Sequence, residues 1–248
     1  MCPLNLNEQA LAKLTRCKNE LLKEYFNASI VEKVTNAKDY DETAHRPLDF
    51  LRLGRWYYIP EEWFTDPSIF PDLVFGETGR SIALGEEKHI VEKILANDST
   101  RKITVETVDS AEIKRQIRDV ISHAAQTHGH ANYQIVMFAP IAYFVAAHID
   151  WPQQERGIVW RNGDLFVDGL RIELNWSNKY IDYKEFIILE KSMCCWVAKP
   201  TLGERMNVGI TDSRQMGQLE LKAQSVFSFL LKAPENILVA RPTNLPER

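Results

Sequence analysis

The sequence lacks several features that would place it in a common class of protein. No stretch approaches the roughly 20 apolar residues of a membrane-spanning helix. The first residues show no basic start followed by an apolar run, so we expect neither a membrane span nor a signal peptide. The four cysteines, Cys2, Cys17, Cys194 and Cys195, form no CxxC pair and no repeating framework. A reduced, cytosolic setting is therefore favoured.

The chain also lacks a strong excess of charge of one sign. Its net charge is -4 over 248 residues, and no block of like charge is long enough to form a charged tail. A dedicated nucleic-acid binder is usually basic on one face, so this composition argues against that class. The length allows one large domain or two small ones with ample core.

Motifs for cofactors are missing as well. Neither a glycine-rich phosphate loop nor a Gly-x-Ser-x-Gly nucleophile elbow occurs. His123, His128 and His130 flank a predicted helix end with no Cys, Asp or Glu at ligand spacing, which favours solvated histidines over a metal site. Cys194 and Cys195 are adjacent in a predicted strand and point to opposite faces, which favours packing. We expect no cofactor and no metal.

One acidic pattern leaves an enzymatic alternative open. Asp164, with Glu173 and Asn175 on the next predicted strand, is similar to the Asp plus Glu-x-Lys arrangement of metal-dependent nucleases. Two such carboxylates can hold a divalent ion for phosphodiester cleavage. Asn175 stands where the nuclease pattern has lysine, so the non-enzymatic interpretation is preferred.

Hydrophobic periodicity predicts an α+β protein, in which strands and helices do not alternate regularly. We predict helices at about 7–26, 85–98 and 110–127, and another that follows Pro140 and ends near residue 150. Asp109 is the expected N-cap of the third helix, with Glu112 as its capping-box partner. Strands are predicted at about 52–58, 102–108, 133–140, 163–174 (a pair turning at Asp168-Gly169), 186–189 and 193–198, followed by a long alternating strand at 219–231, a turn at 233–236 and a short final apolar run.

An aromatic segment precedes the second helix. It carries Trp56, Tyr57, Tyr58, Trp63, Phe64 and Phe70, and prolines forbid a long helix there. Such side chains pack either in their own core or at an interface with a partner, since aromatic residues are enriched at interface cores.

From Asp109 onward the chain resembles the major capsid proteins of tailed phages and the related encapsulin shell proteins. The segments that carry the resemblance are VDSAEIKRQIRDVISHAAQTHGHANYQIVMFAPIAYFVAAHI, NGDLFVDGLRIEL, KEFIILEKSMCCWVAKP and LELKAQSVFSFLLKAPENILVA. Upstream, ALGEEKHIVEKILAND stands where that family has its long spine helix, and residues 7–26 stand where encapsulins have an N-terminal helix.

The resemblance implies a particular domain organisation. Residues 1–48 would form an N-terminal helix and arm. Residues 49–108 and 200–232 would form a peripheral domain with the spine helix and long strands, and residues 109–199 and 233–248 an axial domain. The family's extended loop has little room here, which argues against a large overlap between neighbouring subunits.

The resemblance also implies a function. The chain would be a structural subunit that self-assembles, as pentamers with or without hexamers, into an icosahedral viral head that encloses DNA. The alternative is an encapsulin-type compartment around a cargo enzyme. A virion assembled in the host cytoplasm is the expected location, and the cytoplasm of a bacterium or archaeon is the alternative.

Three groups of residues receive roles from this resemblance. Trp56, Tyr57, Tyr58, Trp63, Phe64 and Phe70 are candidates for the inter-subunit surface. Lys179, Tyr180, Asp182 and Lys184 are candidates for a loop that lines a symmetry axis or pore. Lys13, Arg16, Lys18 and Lys23 are candidates for the interior-facing side of the N-terminal helix, where they would meet DNA.

Overall fold

The computed structural model describes residues 6–31, 38–39, 51–106, 109–128, 134–140, 157–161, 164–176, 184–191, 195–199, 205–213 and 217–244. Within these ranges the protein is a mixture of helices and β-sheets, which confirms the α+β prediction. No helix in the described ranges is long and apolar enough to span a membrane.

The helices and strands are numbered in chain order. The helices are α1 (Glu8–Ala28), α2 (Glu62–Thr65), α3 (Asp72–Ala96) and α4 (Ser110–His128). The strands are β1 (Lys38–Asp39), β2 (Leu51–Pro60), β3 (Arg101–Val105), β4 (Ile135–Ala139), β5 (Ile158–Arg161), β6 (Asp164–Val167), β7 (Leu170–Trp176), β8 (Phe186–Glu190), β9 (Cys195–Lys199), β10 (Met206–Asp212), β11 (Gln218–Leu231) and β12 (Leu238–Pro242). A 3-10 turn at Pro234–Asn236 separates the last two strands.

The chain divides into two compact units. Unit 1 comprises residues 1–30, 37–89 and 197–229, and unit 2 comprises residues 31–36, 90–196 and 230–248. The long strand β11 lies almost entirely in unit 1, and β12 lies in unit 2.

Unit 1 combines α1, the first part of α3 and a five-stranded sheet in the order β1-β9-β11-β10, with β2 pairing to β11. Helix α1 begins at Asn7, whose side chain accepts a hydrogen bond from the Ala10 N–H at 2.9 Å. Its buried residues recur every three or four positions because one face packs on the core. They are Ala10, Leu14, Cys17, Leu21 and Tyr25.

Unit 2 is built on a seven-stranded mixed sheet in the order β3-β12-β8-β4-β7-β6-β5. Helix α4 buries Ile113, Ile117 and Val120 in the same core cluster as residues of this sheet. Asp109 caps the helix by accepting a hydrogen bond from the Glu112 N–H at 2.8 Å, as predicted. The Glu112 carboxylate accepts hydrogen bonds from Arg115 and Gln116.

The predicted elements agree with the structure in type and differ in extent. Helix α3 begins at Asp72, well before the expected start near Gly85. The prediction missed its first part because that part has no regular apolar stripe: Leu73 is 82% exposed, whereas Phe75 is fully buried. Strands β1, β5 and β10 and the short helix α2 were not predicted. The hairpin turns at Asp168-Gly169 as expected, with both residues at positive φ. The expected helix after Pro140 lies outside the described residues.

Strand β3 was expected with the peripheral segments, within 49–108. The structure instead pairs it in parallel with β12, in the seven-stranded sheet of unit 2. The physical reason is that its apolar residues Ile103 and Val105 pack against the core of that unit.

Candidate inter-subunit surface

The exposed face of the unit 1 sheet carries two of the aromatic residues singled out in the sequence. Strand β2 runs antiparallel to β11, and directly opposite residues share one face of a sheet. Trp56 lies opposite Lys222 and Tyr58 lies opposite Glu220. The alternate residues Tyr57 and Ile59 turn to the core face, where they pack in the hydrophobic cluster of unit 1.

These two aromatic side chains are largely exposed within the chain. Trp56 is 63% exposed and Tyr58 is 51% exposed, and their ring centroids lie 6.5 Å apart. The Lys222 ammonium lies 4.9 Å from the centre of the Trp56 ring, a cation–π contact. We call this group, Trp56, Tyr58, Glu220 and Lys222, the aromatic face.

Charged groups hold the aromatic face in one arrangement. The Lys222 ammonium lies 3.2 Å from the Glu220 carboxylate, which also accepts a hydrogen bond from Thr211. The hydrogen bond from Lys222, with smaller help from Thr211 and Trp56, lowers the pKa of Glu220 below its usual value. The ionised carboxylate and the Lys222 ammonium thus form a charged pair next to the indole ring.

The other aromatic candidates are distributed between core and surface. Phe64 is only 3% exposed and packs edge to face on Phe75 at 6.2 Å, so within the chain it is a core residue. Tyr57 and Trp63 are partly buried and pack against the same core. Tyr57 shares a short hydrogen bond with Thr78, and burial raises the pKa of its phenol.

A second exposed apolar group lies at the start of α3. Phe70 is 68% exposed, as an interface candidate requires, and Leu73 and Val74 beside it are 82% and 42% exposed. Sequence reasoning missed the latter two because it placed them before the helix. The Pro71-Asp72 pair was the available signal, since proline and an acidic residue are typical of a helix start.

The basic residues of α1 make contacts with their own unit. Arg16 forms a two-pronged ion pair with Asp72 at 2.6 and 3.0 Å, and Lys13 donates to the Asp66 carbonyl at 2.8 Å. Lys23 pairs with Glu20 at 3.1 Å. Lys18 is partly buried. Because Arg16 and Lys23 are paired with carboxylates, the positive charge that α1 can offer to a polyanion is smaller than its number of basic residues suggests.

The candidates for the axis loop are mostly outside the described residues. This holds for Lys179, Tyr180 and Asp182. Lys184 is described and exposed, and its backbone N–H donates to the Glu185 carboxylate at 3.1 Å. Glu185 in turn binds the Arg241 guanidinium at 2.5 and 3.0 Å, which links this point to strand β12.

The acidic side chains on β6 and β7 are paired with basic side chains of the same unit. Asp164 accepts a hydrogen bond from Arg171 at 3.0 Å, and Glu173 lies 4.0 Å from the Lys191 ammonium. Among the described residues, no group of three or more His, Cys, Asp or Glu side chains is placed to hold a metal ion. This arrangement gives no support to the nuclease alternative.

Beneath the sheet of unit 1 lies a buried polar cluster that the sequence did not reveal. Glu86 of α3 is fully buried and accepts hydrogen bonds from Tyr25 at 2.5 Å, from Ser29 at 2.9 Å and from Ser225. Burial, and then the nearby Glu86 charge, raise the pKa of Tyr25. Because these donors come from α1, the following residues and β11, the cluster fixes the register of three segments at one point.

Comparison with known proteins finds similarity in structure alone. No protein-family model and no curated protein matches the sequence. The virus-like particle from Pyrococcus furiosus aligns with a TM-score of 0.64 at 11% identity, over 92% of this chain and 98% of that one. The mature capsid of bacteriophage PhiM1 aligns at 0.53 and 11%, over 86% and 81%. The SrpI encapsulin from Synechococcus elongatus aligns at 0.51 and 11%, over 80% and 75%.

These alignments settle the fold. The chain has the fold shared by tailed-phage major capsid proteins and encapsulins, as the sequence resemblance predicted.

Proposed function

We propose that this protein is a structural shell subunit, the major capsid protein of an icosahedral viral head that encloses DNA. The observation that carries the proposal is coverage: the alignment with the virus-like particle from Pyrococcus furiosus spans nearly the whole of both chains. The fold is also the one found in the solved shell proteins of phages and encapsulins.

Surface chemistry supports self-association. Trp56, Tyr58, Phe70 and Leu73 leave large apolar side chains in solvent when the chain is alone. Aromatic residues of this kind are typical anchors of protein interfaces. Each subunit of a closed shell contacts several neighbours, so modest contacts of this type add through multivalency.

The edge of β2 offers a further route to association. Among the described residues, β2 pairs with β11 alone, so its second edge has no partner strand there. Such an edge can accept a strand from another chain. In the proposed shell, the aromatic face and this edge belong to contacts between copies of the protein.

The remaining residue roles follow from the same proposal. Lys179, Tyr180, Asp182 and Lys184 line a symmetry axis, and the basic residues of α1 face the interior. The virion is the proposed location, with assembly in the host cytoplasm.

An encapsulin-type compartment is the second candidate, and the SrpI encapsulin alignment favours keeping it. In that case the interior holds a cargo protein and the particle resides in the cytoplasm of a bacterium or archaeon. The two candidates share the assembly chemistry and differ in what the particle encloses.

Purification of the full chain from cells, followed by electron microscopy and light scattering, tests the proposal. Closed, uniform particles are the expected result, and a protein that stays monomeric at high concentration would contradict it. Extraction of nuclease-treated particles then separates the candidates, since protected DNA is expected for a viral head and a co-purifying protein for a compartment. Magnesium-dependent cleavage of DNA by the purified chain would instead support the nuclease.

A further inference from the structure

Unit 1 exposes large apolar side chains on two separate surfaces. One is the aromatic face, which lies on the side of the sheet turned away from α1 and α3, because those helices share a hydrophobic cluster with the opposite-facing residues Tyr57 and Ile59. The other lies at the start of α3, where Phe70 and Leu73 are 68% and 82% exposed. Phe70 belongs to the helical side of the unit, since the Lys13 ammonium of α1 lies 6.0 Å from its ring centre. The two surfaces are therefore not in position to contact each other within one chain.

The aromatic face lies on a surface with an excess of positive charge. Arg52 shares this side of β2 with Trp56 and Tyr58, because every second residue of a strand points to the same side. Arg52 is exposed and forms no ion pair with another described residue. Lys222 and Glu220 form a pair whose charges cancel, so the charge of Arg52 remains. Strand β10 adds only uncharged residues to this side of the sheet, which are Asn207, Gly209 and Thr211.

The surface at the start of α3 has an excess of negative charge. Residues 61–77 contain five acidic residues and no lysine or arginine. Three basic residues from outside this range contact it, so acidic groups remain in excess. Glu77 lies one helical turn after Leu73 and its side chain is 63% exposed, which places a carboxylate beside an apolar side chain. The basic residues are Lys13, Arg16 and Arg80.

We call Phe70, Leu73, Val74 and Glu77 the helix-start patch. Charge determines how this patch and the aromatic face can combine between copies. Two aromatic faces brought together would place two copies of Arg52 near each other, and two helix-start patches would bring acidic groups together. Like charges across a contact are unfavourable, whereas complementary charges favour the correct partner. An aromatic face against a helix-start patch joins apolar groups and also opposite charges.

We propose that the aromatic face of one copy binds the helix-start patch of a second copy. Trp56 and Tyr58 pack on Phe70 and Leu73 in this contact, and the positive charge of Arg52 lies toward the acidic surface. A contact between two different surfaces of one chain can continue from copy to copy and close into a ring. The inference rests on the proposed shell function, since it names the surface of a neighbouring subunit that the aromatic face meets.

Charge reversal on each surface tests the contact. Arg52→Glu and Glu77→Lys should each raise the concentration needed for assembly about tenfold at low ionic strength, where charges across the contact are least screened. The two substitutions combined in one chain restore opposite charges across the contact, so the threshold should return toward that of the natural protein. Light scattering over a dilution series measures all three thresholds. A double variant that assembles no better than its parents would overturn the proposal.

A second double variant controls for net charge. Lys102→Glu combined with Glu77→Lys has the same net charge as the first double variant, but Lys102 is an exposed residue of unit 2. Its threshold should stay as high as that of Glu77→Lys alone. Restoration by this variant as well would show a general charge effect and contradict the contact. Thermal unfolding of every variant verifies that unit 1 is folded.

Leu73→Ala tests the apolar part of the helix-start patch without changing charge. The side chain is 82% exposed in the chain, so the fold should be unaffected while the assembly threshold rises about tenfold. An unchanged threshold would contradict the role of the patch.

Two further results separate this contact from its alternatives. If aromatic faces bind each other instead, a mixture of natural and Arg52→Glu protein should assemble at a lower concentration than either protein alone, and this result contradicts the proposal. If the natural protein forms no particles under any condition, the shell function fails and this contact fails with it. Particles from the natural protein with thresholds that no reversal changes would contradict the contact alone.

Discussion

Gly79 of α3 lies against Leu21 of α1 so closely that a Cβ at residue 79 would stand 2.2 Å from the Leu21 carbonyl oxygen. The same Cβ would lie 3.0 Å from the Tyr25 backbone nitrogen. Real Cβ atoms do not approach backbone atoms at the first distance, so α1 can pack on α3 here only because residue 79 has no side chain. A single glycine therefore sets the separation between two helices of unit 1.

Gly79→Ala should destabilise unit 1. In an unconstrained helix, replacing glycine by alanine stabilises by up to about 1 kcal/mol. Here the added methyl group must push the α1 backbone away, which we expect to cost a net 1–3 kcal/mol, roughly the cost of overpacking a core. Chemical denaturation of the purified protein measures the change.

Gly76→Ala is the matched control on the same helix. Its Cβ would meet the side chain of Glu24 at 3.3 Å, and that flexible side chain can move. We expect this variant to be as stable as the natural protein or slightly more so. If both variants lose stability equally, glycine at residue 79 has no special role in the helix contact.

The buried cluster around Glu86 gives a second prediction. Tyr25→Phe removes one of the three hydroxyl donors to this carboxylate and keeps the ring that packs in the core. The free energy of unfolding should fall by about 1–3 kcal/mol, because a buried charged acceptor loses a partner. Tyr58→Phe, which removes an exposed hydroxyl group, should have no measurable effect under the same denaturation conditions.

The raised pKa of the Cys17 thiol predicts that the folded protein loses stability at alkaline pH. Burial, with a further contribution from the Asp72 carboxylate, raises the pKa of this thiol from 9.0 to about 12. The folded pKa exceeds the unfolded one, so the contribution to stability is full below pH 9 and declines as the pH rises toward 12. Tyr25 and Tyr57, whose pKa values are also raised, act in the same direction.

Unfolding midpoints measured from pH 7 to pH 11 test this prediction. The natural protein should lose stability more steeply above pH 9 than Cys17→Ala, which cannot ionise at that position. The comparison depends on the slope with pH, so a constant cost of the substitution does not affect it. In the folded protein at pH 8, alkylation mapped by mass spectrometry should leave Cys17 unmodified. Rapid modification there would contradict the burial.

The sequence predicted those elements whose hydrophobic pattern has one clear period. Helix α4 and strand β11 each bury one face, so their spacing specifies both type and orientation. Helix α3 is different, since apolar residues such as Phe75 and Leu73 lie on opposite sides of it. It packs against α1 at Gly79 and through the Arg80–Glu24 ion pair, and these contacts join residues far apart in the chain.

The candidate surface was predictable in part for the same reason. Alternation along β2 separates Trp56 and Tyr58 from Tyr57 and Ile59, once the strand is known to be half buried. Phe64 and Phe70 could not be separated in this way, because the segment between them is irregular. The cluster at Glu86 depends on residues from α1, α3 and β11, and no local sequence pattern predicts such a contact.

The N-terminal helix requires a finer test than its removal. Deleting the residues before Asn27 would take five buried residues out of the core of unit 1, so any effect on particles would reflect folding. Lys18→Gln combined with Lys23→Gln removes two charges with less effect on the core. If α1 faces enclosed DNA, particles should form normally and protect less of it after nuclease treatment.

Lys102→Gln combined with Lys232→Gln is the control for that experiment. Both residues are exposed in unit 2, and the net charge of the chain changes by the same amount. The DNA content of these particles should match that of the natural protein. An equal loss in both double variants would indicate a general charge effect and would contradict a specific role for α1.

The aromatic face predicts a defect in assembly without a defect in folding. Trp56→Ala removes a side chain that is 63% exposed in the chain, so unit 1 should retain its stability. If Trp56 is an anchor between copies, each lost contact costs about 2 kcal/mol or more, and the concentration needed for assembly should rise more than tenfold. Light scattering over a dilution series measures this threshold, and circular dichroism checks the fold.

Val159→Ala provides the comparison, since Val159 is an exposed apolar residue of unit 2 outside the aromatic face. We expect it to assemble at the same concentration as the natural protein. Lys222→Gln adds an intermediate case: the positive charge over the Trp56 ring and beside Glu220 is lost, while the aromatic area remains. Its threshold should lie between those of the other two variants and depend less on salt. If Trp56→Ala assembles normally, the aromatic face is not a contact between subunits.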